Sequence, residues 1–299
     1  MRKSWFVAGV TCLLLARPVS AQVFTAGDEL LASDRPEAWA MNYVGAATLM
    51  TAFGATPALA SGQWSGALDA GSIPSLSEEQ QRVGFRGSKQ EDLNKSPVFG
   101  RARIAIGLQG GWVAEAGWTP PLAINGIRTR NLVAIALSRH LYATDSFSLS
   151  ARVFGQHGEA EGDITCPAEV VGVSDPEINP AGCVAPSRDR IALRHYGADM
   201  TAAWGTAPWH GHATLGVARM EPFVQVDALL IGSVRDRSRL VARDVLPYVA
   251  AGAGRDLGDR WRLSFEVLYV PLSVQRDPAR DAGNDPLTSF RAQLRYDSP

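Results

Sequence analysis

From about Gln63 onward the chain carries repeated segments in which apolar and polar residues alternate at period two, the signature of strands with one greasy and one wet face. In Arg260 to Pro271, Trp261, Leu263, Phe265, Val267 and Tyr269 share one face, while Arg262, Ser264 and Glu266 share the other. Trp261 and Tyr269 lie eight residues apart, which at a strand tilt near 40° covers about 20 Å of membrane normal. Asp145 to Gln156 sets Phe147, Leu149, Ala151 and Val153 against Ser146, Ser148, Ser150 and Arg152. Trp112, Ala114, Ala116 and Trp118 oppose Val113, Glu115 and Gly117, and Val98, Ala102, Ile104 and Ile106 oppose Phe99, Arg101, Arg103 and Ala105. Thr288, Phe290, Ala292, Leu294 and Tyr296 oppose Ser289, Arg291, Gln293 and Arg295. Strands near 130–142, 189–205, 211–231 and 239–255 alternate less cleanly, and Pro222 and Pro247 require a bulge or an edge within them.

The connections alternate in length. Leu257 to Asp259, Ala207 to Gly211, Ala143 to Asp145 and Gln109 to Gly111 are short. Residues 275–285, 232–238, 157–188, 120–129 and 74–97 are longer or more polar. Ten antiparallel strands from Gln63 to Tyr296, joined by hairpins, fit that order. A soluble sandwich is the competing fold. It gives no reason for aromatic residues at both ends of the dry rows, here Trp112, Trp118, Trp261, Tyr269 and Tyr296, the expected aromatic girdles.

Residues 22–62 do not read as strand. Ser33 or Asp34 offers an N-cap, Pro36 a first-turn proline, and Glu37 to Phe53 is rich in alanine, methionine and leucine before Gly54, which predicts a helix. The β-branched Val44 and Thr48 keep an eleventh strand as the other reading. Outside the strand order, the segment would lie in the periplasm or plug the lumen.

The amino terminus adds a compartment. Arg2 and Lys3, the apolar run Trp5 to Leu15, and Val19-Ser20-Ala21 before Gln22 are ordered as a secretory signal cut after Ala21. The run is shorter than the roughly 20 residues of a membrane helix. Cys12 leaves with the signal, so Cys166 and Cys183 remain as one pair, expected to form a disulfide. The net charge of −1 becomes −4 once Arg2, Lys3 and Arg17 are removed, which argues against a nucleic-acid partner.

The chain resembles the outer-membrane β-barrels of Gram-negative bacteria as a class over residues 63–296. The final strand, Phe290-Arg-Ala-Gln-Leu-Arg-Tyr296, matches the aromatic-ended strand that such proteins present to the barrel-assembly machinery, although Asp297, Ser298 and Pro299 follow it. The resemblance implies outer-membrane lipids and that machinery as partners. No narrower family is indicated.

The chemistry lies on the inward face. Arg101, Arg103, Arg152, Arg262, Arg291 and Arg295 gather there with Asp69, Glu115, Asp199 and Glu266. In a narrow barrel such a set forms either an ion-paired plug or a path whose excess arginine favours anions. Six arginines against four carboxylates leave pairing incomplete within the set, so the remainder must reach the rims, the backbone of the N-terminal segment, or water. His157 and His195, with Ser187 and Asp189 near in sequence, are the only candidates for a rim hydrolase, and no nucleophile, metal or phosphate motif supports them. His210 and His212 lack a third metal ligand, and the acidic residues of 157–188 match no calcium spacing, so no metal or cofactor is expected. The expected function is passive admission of small solutes. A closed barrel with disulfide-pinned surface loops is the alternative, and an enzyme is not expected.

Overall fold

The computed structural model describes residues 22–24 and 27–299; the signal peptide expected over 1–21 lies outside the described residues. Ten antiparallel strands close into a barrel: β1 Trp64–Ser72, β2 Val98–Gly107, β3 Trp112–Trp118, β4 Ile127–Ala143, β5 Phe147–Gly162, β6 His195–Thr206, β7 Trp209–Met220, β8 Asp244–Asp256, β9 Trp261–Val270 and β10 Leu287–Asp297. Each pairs with its sequence neighbour, and β10 pairs with β1, with Leu294 opposite Leu68. Closure leaves no barrel edge unpaired, which is what a hydrocarbon environment requires of strands.

Inward and outward positions follow the alternation in the sequence. Trp261, Phe265 and Val267 are exposed on the outer face, while Ser264, Glu266 and Leu268, which alternate with them, are buried. Ile104, Ile135, Leu215 and Phe290 continue this exposed apolar belt around the barrel. A sandwich would have used these residues as its core; here they lie exposed on the outer face, while the buried face carries the charged residues.

The less regular stretches end differently from the sequence expectation. The strand expected over 211–231 stops at Met220, before Pro222, and residues 221–243 form a long connection holding four small strands. The strand expected over 189–205 divides into Asp189–Ala192 and β6. Period-two patterning in these loops is genuine strand patterning, because Asp189–Ala192, Phe223–Gln225 and Arg239–Val241 extend the wall beyond β5. Pro247 sits inside β8, opposite Val217, but beyond Val249, where pairing with β9 stops. The missing N–H is therefore placed at an edge and no bulge is needed.

Short turns and long connections define two ends of the barrel. At the long-loop end, Asp28–Leu30 joins the sheet in parallel beside Arg239–Val241, and Gln22–Phe24 lies beside Val234–Asp236. The chain then enters the lumen as helix α1, Pro36–Ala47, with Pro36 in the first turn. Its N-cap is Arg35, rather than Ser33 or Asp34, and makes no side-chain cap bond; Arg35 pairs instead with Glu29 and Glu37. Helix α1 also stops at Ala47, not at Phe53, and residues 48–57 continue without regular structure toward the short-turn end. Trp39, Tyr43, Leu49 and Met50 pack with Phe154, Leu246, Leu268 and Leu287 of the wall. The hydrophobic core is thus the joint between the N-terminal segment and the inner wall.

Disulfide-bonded Cys166 and Cys183 lie in the connection between β5 and β6, their α-carbons 5.6 Å apart.

Candidate functional site

Midway along the lumen, four arginines from three strands converge on one stretch of backbone. Arg291 of β10 donates from Nη1 to the Leu49 carbonyl (2.7 Å) and from Nη2 to the Ala47 (3.0 Å) and Ala46 (3.3 Å) carbonyls. Arg101 of β2 donates to the Thr48 carbonyl at 2.9 Å and to Gln156 Oε1 at 2.5 Å. Arg152 of β5 donates to the Met50 carbonyl at 2.5 Å, and Arg103 of β2 to the Thr51 carbonyl at 2.9 Å. Every carbonyl from residue 46 to 51 is therefore held by a guanidinium of the wall. The C-terminal carbonyls of a helix have no intrahelical partner and carry the negative end of its dipole, so cations there are favourable. A guanidinium cannot shed its charge, and the carbonyls give it acceptors in a site closed to water.

The same four arginines divide by their other partners. Arg152 forms a two-point pair with Asp199, at 3.2 and 2.5 Å, and Tyr248 also donates to Asp199 at 2.6 Å. Arg103 pairs with Asp69, and with Glu115 at 3.3 Å. Arg101 and Arg291 form no ion pair among the described residues. Glu266 takes a hydrogen bond from Thr51 Oγ1 at 2.6 Å and faces His212 Nε2 at 3.3 Å. Gly117 and Gly216 open the space this layer needs: a β-carbon at Gly117 would lie 2.6 Å from Arg101, and one at Gly216 2.4 Å from the Tyr248 ring.

Arg262 and Arg295 lie nearer the short-turn end. Arg262 is half-buried and meets Asp256 at 2.6 Å and His210 at 3.2 Å; Arg295 is buried and meets Asp297 at 3.0 Å. Asp256 and Asp297, at strand ends, take Arg262 and Arg295, while Arg101 and Arg291 turn to the backbone of the N-terminal segment, so the surplus reaches the rim and that segment, two of the three destinations expected for it. Below the central layer, Phe53, Gly54, His210, His212, Arg262 and Ser264 line a vestibule of about 340 Å³ at that end.

Of the aromatic residues expected as girdles, Trp112, Trp261 and Tyr296 fall at the short-turn end, and Trp118 and Tyr269 at the long-loop end. Sequence reasoning missed Trp64, Trp204 and Trp209, which lie exposed at the short-turn end as well; Trp64 packs 5.8 Å from Tyr296, and Arg255 lies over Trp209 at 5.2 Å. Position at strand ends was the available signal.

The hydrolase constellation is not assembled. Ser187 and Asp189 meet at 2.7 Å, but Asp189 also accepts the amides of Thr165 and Asp227. His195 is buried beside Phe154, with neither ring nitrogen bonded, and His157 is exposed on the other face of the wall.

No protein-family model and no curated protein matches this sequence. The fold is similar to the toluene transporter TbuX of Ralstonia pickettii, with 10% identity and a TM-score of 0.33 over 81% of this chain and 70% of that one. It is also similar to Ail, the attachment invasion locus protein of Yersinia pestis (7%, 0.31, 80% of this chain and all of that one), and to Neisserial surface protein A (11%, 0.30, 79% and 97%). The chain's own closed ten-strand wall, apolar outside and charged within, has the architecture of the outer-membrane β-barrels.

Proposed function

We propose that the protein is exported by its first 21 residues, inserts into a Gram-negative outer membrane with its short turns in the periplasm, and admits small solutes through a lumen that residues 35–57 hold shut at rest. Outer-membrane lipids cover the apolar belt, and the barrel-assembly machinery reads β10 during insertion. One observation carries the reading: the unbroken row of carbonyls from Ala46 to Thr51 gripped by Arg101, Arg103, Arg152 and Arg291. A ten-strand barrel is narrow, and a backbone fixed across its middle leaves no continuous aqueous path. Of the two forms that the inward charges allow, an ion-paired plug and an arginine-lined path, the plug is favoured, with the N-terminal segment as its gate.

Planar-bilayer recording tests this directly. The full-length protein is expected to show no steady conductance steps, and a variant lacking residues 36–57 to show them. Equal conductance in both would remove the gate. A purely structural barrel with disulfide-pinned loops is favoured by the anchoring of Asp28–Leu30 in the long-loop sheet, which opposes withdrawal of the segment. Failure of purified full-length protein to pass any small solute in liposome-swelling assays, even when the segment is loosened by Arg291→Ala, would select that second reading.

A further inference from the structure

Above the locked layer, at the long-loop end, helix α1 and the connections around it line a partly open chamber of about 160 Å³. Its walls come from separate parts of the chain, among them Met41 and Val44 of α1, Ile127 of β4, Ile191, Val224 and Leu240. The charged groups at its margin are already engaged. Glu37 is held by Arg35 and the Arg86 amide, and Glu91 by Lys89 at 2.9 Å. Lys95 bridges Asp92 and Asp163 at 3.1 and 2.8 Å, and Asp189 takes its three hydrogen bonds from Thr165, Ser187 and Asp227. Among the described residues, no buried side-chain polar atom of the chamber's lining is left without a partner.

We propose that this chamber is a binding site for a small, uncharged, apolar molecule about the size of one aromatic ring. An apolar cavity of roughly 150 Å³ stays dry and accepts a benzene-sized guest, because water would find no hydrogen-bond partners there. A guest regains the dispersion contacts that the empty walls lack and leaves water, so shape and apolar area suffice for recognition. A charged or strongly hydrogen-bonding solute would lose its hydration and meet groups that are all committed elsewhere. The site rests on the plugged-barrel reading in one respect: Ala40, Met41 and Val44 form its floor only while α1 occupies the lumen.

Four isoleucines of the lining, Ile73, Ile127, Ile164 and Ile191, make the test local. Full-length protein with isotope-labelled isoleucine δ1-methyls is titrated with benzene in detergent micelles. The four chamber methyls are expected to shift saturably, while the outer-face Ile104, Ile106 and Ile135 drift in proportion to benzene dissolved in the micelle. Ala160→Phe and Val44→Phe, which fill the chamber from the wall and from the helix, should abolish saturation while keeping the faster gel mobility of unheated barrel. Benzylammonium should produce no saturable shift. Chamber methyls that merely follow the outer-face ones in the wild type, or saturation that survives in both filled variants while folded, would overturn the site. Benzylammonium binding as tightly as benzene would overturn its apolar specificity. A barrel that conducts at full length yet still saturates would sink the gate and leave the binding site standing. A non-conducting barrel without saturation would do the reverse.

Discussion

The central layer of the lumen and the chamber above it are both closed by the N-terminal segment, yet by opposite chemistry. In the layer, guanidinium groups hold backbone carbonyls, and every contact has a direction and a fixed partner. In the chamber, aliphatic side chains meet with no directional bond, and the polar groups nearby are turned toward one another. The difference teaches that a lock and a receptacle need different materials. Hydrogen bonds to charged groups are strong and intolerant of misplacement, which suits a segment that must stay in register. Apolar walls tolerate a range of guests of similar volume.

The largest effect is expected at Arg152. Arg152→Ala leaves Asp199 buried without its cation and the Met50 carbonyl without a donor, a loss of about 3–5 kcal/mol, to be read from urea unfolding of the refolded barrel. Arg291→Ala removes bonds to three carbonyls but orphans no carboxylate, so a smaller loss, about 2–3 kcal/mol, is expected, together with intermittent conductance. If the two variants unfold alike, the division of the layer into wall-paired and segment-paired arginines is wrong.

Replacing Cys166 and Cys183 together by alanine probes the loops over the chamber. The bond closes 17 residues of sequence separation, and chain entropy assigns such a loop about 3 kcal/mol. Faster proteolysis within 163–194, with the barrel intact, is the expected outcome. Cleavage rates unchanged from the wild type would show that neighbouring contacts alone hold these loops.

Glu91 gives the chamber end a pH dependence. Burial, aided by Asp189 and Glu37 and opposed by Lys89, pushes its carboxyl up from 4.5 to about 7. Because the folded value lies above the unfolded one, the folded state holds the proton longer across this window. Stability therefore falls as pH rises from 4.5 toward 7, and the cost is fully present above that. Amide exchange over residues 84–95, corrected for intrinsic rates, should be faster at pH 8 than at pH 5, and Glu91→Gln should flatten the difference. At the small end, Arg280 is 84% exposed, and Arg280→Glu should change stability by less than about 0.5 kcal/mol.

How much of this could be read in the sequence follows from which signals side chains carry. In β9 and β10, the alternation that puts Phe265 outside and Glu266 inside is a property of consecutive residues, so strand and face were legible together. The loop strands at 223–225 and 239–241 carry the same alternation, and pattern alone cannot tell a wall strand from one that extends the wall above the membrane. The six inward arginines were legible, and the backbone of the N-terminal segment was among the destinations expected for their surplus, but which carbonyls take them was not, since a backbone oxygen has no residue type. Asp256 and Asp297 escaped because they sit at strand ends, where the period-two rule stops assigning a face. The chamber was invisible for a different reason: its lining is drawn from distant segments, and no local pattern marks a residue that faces a void.

The N-terminal segment threads the whole barrel, from the long-loop end to the short turns. Single cysteines at Gly27 and Asp259, both exposed and at opposite ends, can be offered a membrane-impermeant maleimide on intact cells. Gly27→Cys should be labelled on intact cells, and Asp259→Cys only after the outer membrane is permeabilised. If both cysteines were labelled only after permeabilisation, the segment would enter from the periplasm and the threaded plug would be refuted.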